Sequence, residues 1–387
     1  LKLQRRMISI LCAQLSMQKR MPKSMELRNR TVSMVLNKDL EEIAVSKLPF
    51  EYYQEKVFLI TGATGLIGSL MVRSLLTCNK SKNLRLRVLA AVRNIDKAEK
   101  LLGKDEALSF IQWDMISGKL DYNGTVDYII HTAAITNSKL MVSNPVDTIR
   151  TSIYGTEAVL ELAREKNAAM VYVSSMEVYG NPNLTHEVSE EDYGYINLSN
   201  VRSSYPESKR MCECLCTAYA SQYGVQVCTA RLAQTFGAGI LATENRVFAQ
   251  FARSAISGSD IVLHTLGQSE GNYVYTSDAI RALLLLIIFG ESGQAYNVAN
   301  EKSHLTIVQM AEMVLKNFGN SNAKVVFDIP EDSMKYGYAP STKMHLSAKK
   351  IENIGWHAQI DLEESYRRMI EYMKETEEKT IMGGKNT

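Results

Sequence analysis

Apolar positions along this chain follow two alternating rhythms. Short continuous apolar runs occupy residues 57–60, 86–92, 109–113, 126–131, 170–173 and 225–231. Helical periodicity fills the intervals, at 69–76, 96–102, 146–166 and 204–223. Continuous rather than every-other-residue hydrophobicity marks strands buried on both faces, and strands alternating with helices imply a parallel sheet with helices on each side. Beyond Gly237 the rhythm loosens. Helices are expected at 245–258, 277–290 and 306–318, short strands at 261–264, 295–299 and 324–327, and an amphipathic terminal stretch at 361–375. The pattern predicts an α/β protein: a doubly wound parallel sheet over residues 36–236, followed at 237–380 by a smaller α/β lobe with segments returning to the sheet.

Size and composition agree. A chain of 387 residues suits one large α/β unit with an appended lobe. The formal charge of +2 is unevenly placed. Residues 1–36 carry eight basic residues and one acid, a local +7, which leaves −5 on the remainder. That balance gives no footing for a nucleic-acid or membrane partner on the body of the protein.

The longest strongly apolar helical stretch, 282–289, is too short to cross a bilayer. Six scattered cysteines show no paired framework, so a reducing, cytoplasmic compartment is expected. Cys212, Cys214 and Cys216 are spaced i, i+2, i+4, and on a helix the middle residue faces away, so no shared metal is expected. Residues 7–13 resemble a short signal core. They are at the lower limit of length and lack a small-residue cleavage site, so 1–35 is read as a disordered or upstream-translated extension.

The sharpest local motif is Thr61-Gly62-Ala63-Thr64-Gly65-Leu66-Ile67-Gly68, set between a strand and a helix. Gly62 serves a tight turn, Gly65 a close backbone approach to a pyrophosphate, and Gly68 close packing of helix on strand. That is the signature of a Rossmann-type dinucleotide site. The residue that reads the ribose belongs at the end of the next strand, where Arg93 stands. An acid there would bind the 2′-hydroxyl of NAD, whereas Arg93 favours a 2′-phosphate, hence a slight lean to NADP over NAD. A solvated loop arginine is the alternative. Asp114, after the third strand, is placed to accept from an adenine amino group, or else to cap a turn.

Tyr205-Pro-Glu-Ser-Lys209 places Tyr205 and Lys209 on one helix face. A phenol with pKa near 10 becomes a usable base beside an ammonium. About thirty residues upstream, Ser174-Ser175-Met176-Glu177 ends a strand, where open α/β sheets bind ligands. Ser175 would hydrogen-bond a reacting oxygen while Tyr205 takes its proton.

Glycine loop, serine pair and Tyr-x-x-x-Lys in this order resemble the extended short-chain dehydrogenase/reductase family, whose members include sugar-nucleotide epimerases, dehydratases and decarboxylases. The likeness runs from about Lys56 to Lys374 and is strongest toward UDP-glucuronate decarboxylase-like members. It rests on the glycine loop, His131-Thr-Ala-Ala134, Gly155-Thr156, the 174–180 and 205–209 segments, Arg231-Leu-Ala-Gln-Thr-Phe-Gly237 and Tyr296-Asn-Val298. The resemblance implies Ser175, Glu177, Tyr205 and Lys209 as catalytic residues. It places Thr64, Leu66, Ile67, Met115, Thr132, Ala133, Ala134 and Ser174 along the cofactor.

Tyr205 would then help oxidise C4 of a nucleotide-activated sugar. The resulting ketone permits re-reduction on the other face, loss of CO2 from a C6 carboxylate, or elimination of water. Met176 stands where dehydratases resemble Thr-Asp-Glu, so epimerisation or decarboxylation is favoured, in precursor synthesis for a surface polysaccharide. Gly271 occupies the place of a diphosphate-binding arginine, so Arg246 or Arg253 is expected to substitute, with Gln234 donating nearby. Ser152 replaces a helix Asn that supports the lysine. Arg368 is expected to approach the sugar from the terminal helix, its alternative being a solvated basic face. A homodimer through the 146–166 and 204–223 helices is expected. A non-catalytic dinucleotide sensor and a reductase of a non-nucleotide carbonyl compound are the competing readings.

Overall fold

The computed structural model describes residues 33–329 and 342–383, with side chains to 377. Seven parallel strands form the central sheet: β1 Val57–Thr61, β2 Arg87–Val92, β3 Leu108–Gln112, β4 Tyr128–His131, β5 Ala169–Ser175, β6 Val227–Leu232 and β10 Ala295–Val298. Their spatial order is β3-β2-β1-β4-β5-β6-β10, and the order reverses beside β1. In such a sheet the crevice at the strands' carboxyl ends is the natural ligand site. All five residues of β1 and five of the seven of β5 are buried, as strands covered on both faces require.

The helices α2 Leu66–Lys82, α3 Ile95–Leu102, α4 Ser138–Ser143, α5 Pro145–Lys166 and α6 Ser204–Tyr223 follow the strands in turn. Asn94 caps α3 by accepting from Lys97, and Asn83 and Asn167 close α2 and α5 in left-handed conformations. On α6, Cys212 and Cys216 are buried one turn apart while Cys214 faces outward.

The later part of the chain builds smaller layers. β7 Gln234–Phe236, β9 Glu270–Tyr275 and β11 Asn300–Thr306 form one sheet, and β8 Ile261–Leu263 pairs with β12 Val325–Phe327. Helices α7 Val247–Ser257, α8 Thr276–Phe289, α9 Ile307–Phe318, α10 Lys349–Glu352 and α11 Leu362–Gly383 complete it. Phe236, Phe248, Tyr273, Tyr366 and Met310 make a separate core here. The returning segments are β10, which extends the main sheet beyond β6, and α8, whose Leu283 and Leu284 are fully buried in the main core.

The pattern reading passed over α4, β7 and α10, each six residues or shorter, and three further elements. Residues 1–32 lie outside the described residues, as does the signal-like run at 7–13, but Ser33 caps a helix α1, Met34–Val45, packed on the main core through Leu36, Leu40 and Ile43. That helix begins at the edge of the stretch read as an extension, so its spacing went unread. β9 was hidden by Gly271 and Asn272, although Asn272 is buried and its amide bridges Asn300 and Leu346. β11 is largely polar, as an edge strand is free to be. Among the described residues no helix is long and apolar enough to cross a membrane.

Candidate active site

The glycine loop lies where β1 meets α2. Gly62 has φ +63, and any Cβ there would press on Ala133 and Thr132 of the segment following β4. At Gly68 a Cβ would run into the Gly62 carbonyl. Both positions need glycine for space, and Gly62 for conformation as well. Gly65 N–H donates to Gly62 O at 2.9 Å, and no side chain caps the start of α2. The first-turn N–H groups of α2 thus stand without a capping side chain or a first-turn acid, as an anion-binding terminus requires. Thr64 and Gly65 form the turn, and Leu66, Ile67 and Gly68 the first turn of the helix.

The wall opposite is stitched to the loop. Thr132 Oγ1 donates to Thr61 O at 2.8 Å, and Ala133 N–H donates to Thr61 Oγ1 at 3.3 Å. His131 bridges Thr61 and Thr156 through its two ring nitrogens, at 2.6 and 3.3 Å. It is fully buried, and burial, with the Lys209 charge added, pulls its pKa down to about 3. It is therefore a neutral structural imidazole. Ala134 continues this wall. Ser174, at the end of β5, is buried with its hydroxyl unpartnered.

At the other end of the crevice, Arg93 and Asp114 line one cleft of about 440 Å3 with Gln112 and Trp113. Arg93 is exposed, and Asp114 Oδ1 accepts from Ile116 N at 3.1 Å, so it caps a 3₁₀ turn. Met115 packs against Gly155 of α5, in the space a side chain there would occupy. An uncapped helix start, a cradle that a Cβ would fill and an exposed cation beyond the second strand together fit a dinucleotide.

Three of the expected chemical residues meet at the end of β5. Tyr205 is buried in the first turn of α6, near enough to Ser175 for the serine to pull on its phenol. Lys209, one turn on, donates from Nζ to Val173 O at 2.7 Å and lies 5.9 Å from the Tyr205 ring centre. Burial pulls its ammonium down to about 8. Burial, and next the Glu177 charge, push the Tyr205 phenol above its usual range, while Ser175, Arg202 and Arg246 pull it back. Ser152 bonds Thr148 O within its own helix rather than Lys209.

Glu177 sits on a 3₁₀ turn, Met176–Tyr179, directly after Ser175, and its N–H donates to Ser175 Oγ at 3.3 Å. That turn is anchored from below. Tyr179 donates to Asn297 at 2.6 Å and accepts from Arg231, whose guanidinium is buried against Glu213. Both Glu177 oxygens accept from Arg202 Nη2, at 3.0 and 2.8 Å. Arg202 went unnoticed in the sequence, since a single arginine three residues before Tyr205 has no periodicity to flag it.

The substrate-side expectations divide. Gln234 lies on β7 beside Tyr273. Arg246, which starts α7, pairs with Glu244 at 2.7 Å, and its charge reaches Tyr205. Arg253 donates to Glu244 O and Asn245, so both arginines meet at the same loop. Gly271 faces Met176, whose Cε would lie 3.8 Å from an added Cβ. Arg368 is corrected on both counts, as sugar contact and as solvated face. It is buried, and its Nε, Nη1 and Nη2 are all taken by Glu364, Asp39 and Glu42. With every nitrogen committed to a carboxylate it joins α11 to α1 instead.

The geometry brings Ser175, Tyr205 and Lys209 together at the carboxyl end of a parallel sheet that also carries the glycine loop. The profile of the NAD dependent epimerase/dehydratase family matches residues 58–299, and the chain belongs to that family. It is similar to UDP-glucuronic acid decarboxylase 5 of Arabidopsis thaliana, 30% identical over 81% of this chain and 88% of that one. It is also 30% identical to UDP-glucuronic acid decarboxylase 1 of Xenopus tropicalis, over 64% of this chain and only 57% of that protein's length. Among solved structures, UDP-glucuronic acid 4-epimerase of Bacillus cereus, in complex with UDP-glucuronic acid and NAD, matches at TM-score 0.66. It is 20% identical, covers 83% of this chain and 99% of that one, and carries the fold.

Proposed function

We propose that this protein modifies a nucleotide-activated sugar through a transient 4-ketone, with decarboxylation of a UDP-linked uronic acid as its first activity and epimerisation as its second. The observation that carries the reading is Ser175, Tyr205 and Lys209 converging at the end of β5, across the crevice from the glycine loop. Similarity to UDP-glucuronic acid decarboxylases supports the choice of sugar.

Gly62 to Gly68 and the start of α2 would hold the pyrophosphate of NAD or NADP, with Arg93 at the adenosine end tipping the balance toward NADP. When bound, the nicotinamide would supply a hydride acceptor and later a hydride donor. Ser175 orients the C4 hydroxyl, and Tyr205 takes its proton. Lys209 fixes the tyrosine's surroundings electrostatically from its seat on the Val173 carbonyl. A C4 ketone turns a C6 carboxylate into a β-keto acid, which readily releases CO2. Met176 offers no acid for elimination of water. Arg246 and Arg253, gathered at the Glu244–Asn245 loop, are the cations for the diphosphate, with Gln234 beside them.

Assembly as a cytoplasmic homodimer fits the exposed Val146, Ile149 and Tyr154 of α5 and Met211 of α6, which leave apolar side chains on the α5/α6 face. A thermal-shift survey of UDP-, dTDP-, CDP- and GDP-sugars tests the substrate class: one nucleotide series should stabilise the protein strongly. Stabilisation by dinucleotide alone would favour the sensor or the non-nucleotide reductase.

A further inference from the structure

The pair formed by Glu177 and Arg202 lies outside every role that the site reading assigns to an arginine. Arg202 sits on a 3₁₀ turn, Val201–Ser203, that leads straight into α6 and is capped by Asn200. Its Nη2 spans both oxygens of Glu177. The two side chains are only 26% and 33% exposed, so this is not a freely solvated surface pair. The Arg202 guanidinium carbon is 5.7 Å from the Tyr205 ring centre, and its Nη1 is buried without a partner. A buried donor left unpaired is uncommon and calls for a reason.

The position supplies one. Glu177, Ser175, Tyr205 and Arg202 gather here: Glu177 N–H donates to Ser175 Oγ, the Arg202 guanidinium lies against the Tyr205 ring, and Arg202 Nη2 returns to Glu177. The charged or titratable groups facing Tyr205 are Glu177, Arg202, Arg246, Lys209 and Tyr172. Glu177 alone of them is acidic and opposes a phenolate directly.

We propose that Arg202 is a positioning residue for proton abstraction, locking the Glu177 carboxylate and offsetting its charge beside the Tyr205 hydroxyl. A single Nη2 straddling both carboxylate oxygens ties the carboxylate's direction to the arginine's charge. The proposal rests on the reading of Tyr205 as the base toward a sugar hydroxyl. It makes Glu177 and Arg202 a coupled unit, so removing the arginine alone does more harm to proton abstraction than removing both.

The test is single-turnover nicotinamide reduction by UDP-glucuronate, followed against pH in wild type, Arg202→Met, Arg202→Lys, Glu177→Gln and the Arg202→Met/Glu177→Gln double variant. Arg202→Met should move the rising limb to higher pH, with about a tenfold loss at neutral pH for each unit moved, and keep most of the high-pH rate. The double variant should move the limb back, and Arg202→Lys should hold it close to wild type. A loss equal at every pH, an unmoved limb, or a double variant no better than Arg202→Met would overturn the coupling. No reduction by wild-type enzyme would overturn the substrate reading, and this inference with it. Dinucleotide-induced stabilisation in each variant confirms that it is folded.

Discussion

Lys209 and Tyr205 stand one turn apart on α6, both buried, yet the lysine's hydrogen bond goes to the Val173 carbonyl and not to the tyrosine. The lysine stands 5.9 Å from the phenol ring centre, in a seat fixed by β5. Tyr205→Phe keeps the packing and removes the proton acceptor. Turnover should fall about 10²–10⁴-fold, while thermal stabilisation by NAD or NADP stays near wild type. Lys209→Met should lose both activity and stability, because it also strands the Val173 carbonyl.

Gly68 is set against the Gly62 carbonyl with no room for a methyl group. Gly68→Ala should push α2 off β1 and disorder the phosphate cradle. The expected readout is loss of dinucleotide-induced stabilisation in a thermal melt, together with a lower melting point of the free protein. Retention of both would remove the glycine loop from the site.

Arg93 is exposed in the cleft it lines with Asp114. If it meets a 2′-phosphate, Arg93→Ala should weaken NADP binding by roughly 1.5–3 kcal/mol, the usual worth of a hydrogen bond to a charged group. NAD binding should change little. Equal loss for both dinucleotides, measured by calorimetry, would assign Arg93 a packing role instead.

Arg368 and Asp39 are both buried, and the arginine bridges α11 to α1. Burial holds the Asp39 carboxyl up at about 6 even with its partner in place. Arg368→Met should cost about 3–5 kcal/mol in urea unfolding, since it strands a buried carboxylate. KM for a sugar nucleotide should stay within a few-fold of wild type. A large KM effect without loss of stability would return Arg368 to the sugar.

His131 gives a pH signature to stability. Its folded pKa of about 3 lies below the ordinary value of 6.5, so the folded protein binds its proton less readily than the unfolded chain does. Its contribution is complete above pH 6.5 and is lost as pH falls from there toward 3. Denaturation measured between pH 7 and 4 should show stability falling with acid. His131→Gln, less stable at neutral pH, should show a shallower fall.

The parallel sheet was legible because its strands are covered on both faces, which leaves continuous apolar runs such as 57–60 and 170–173. The glycine loop and the Tyr205–Lys209 pair were legible because each is local in sequence. What escaped was non-local. Arg202 gains meaning only when the turn before α6 meets the turn after β5. Arg368 was expected at the sugar, or else on a solvated face, because nothing near it in sequence shows that α1 brings Asp39 and Glu42 against it. The helix α1, Met34–Val45, starts where the basic stretch ends, and the reading of 1–35 as an extension hid the spacing of Leu36, Leu40 and Ile43.

The most direct measurement is product mass after incubating the purified protein with UDP-glucuronate and NAD+, and separately NADP+. A sugar nucleotide lighter by one CO2 is expected, with no net change in the dinucleotide, and formed about 10²–10⁴-fold more slowly by Tyr205→Phe. Unchanged substrate, with no epimer on chromatography and no transient nicotinamide reduction for any UDP-, dTDP-, CDP- or GDP-sugar, would contradict 4-keto chemistry at this site.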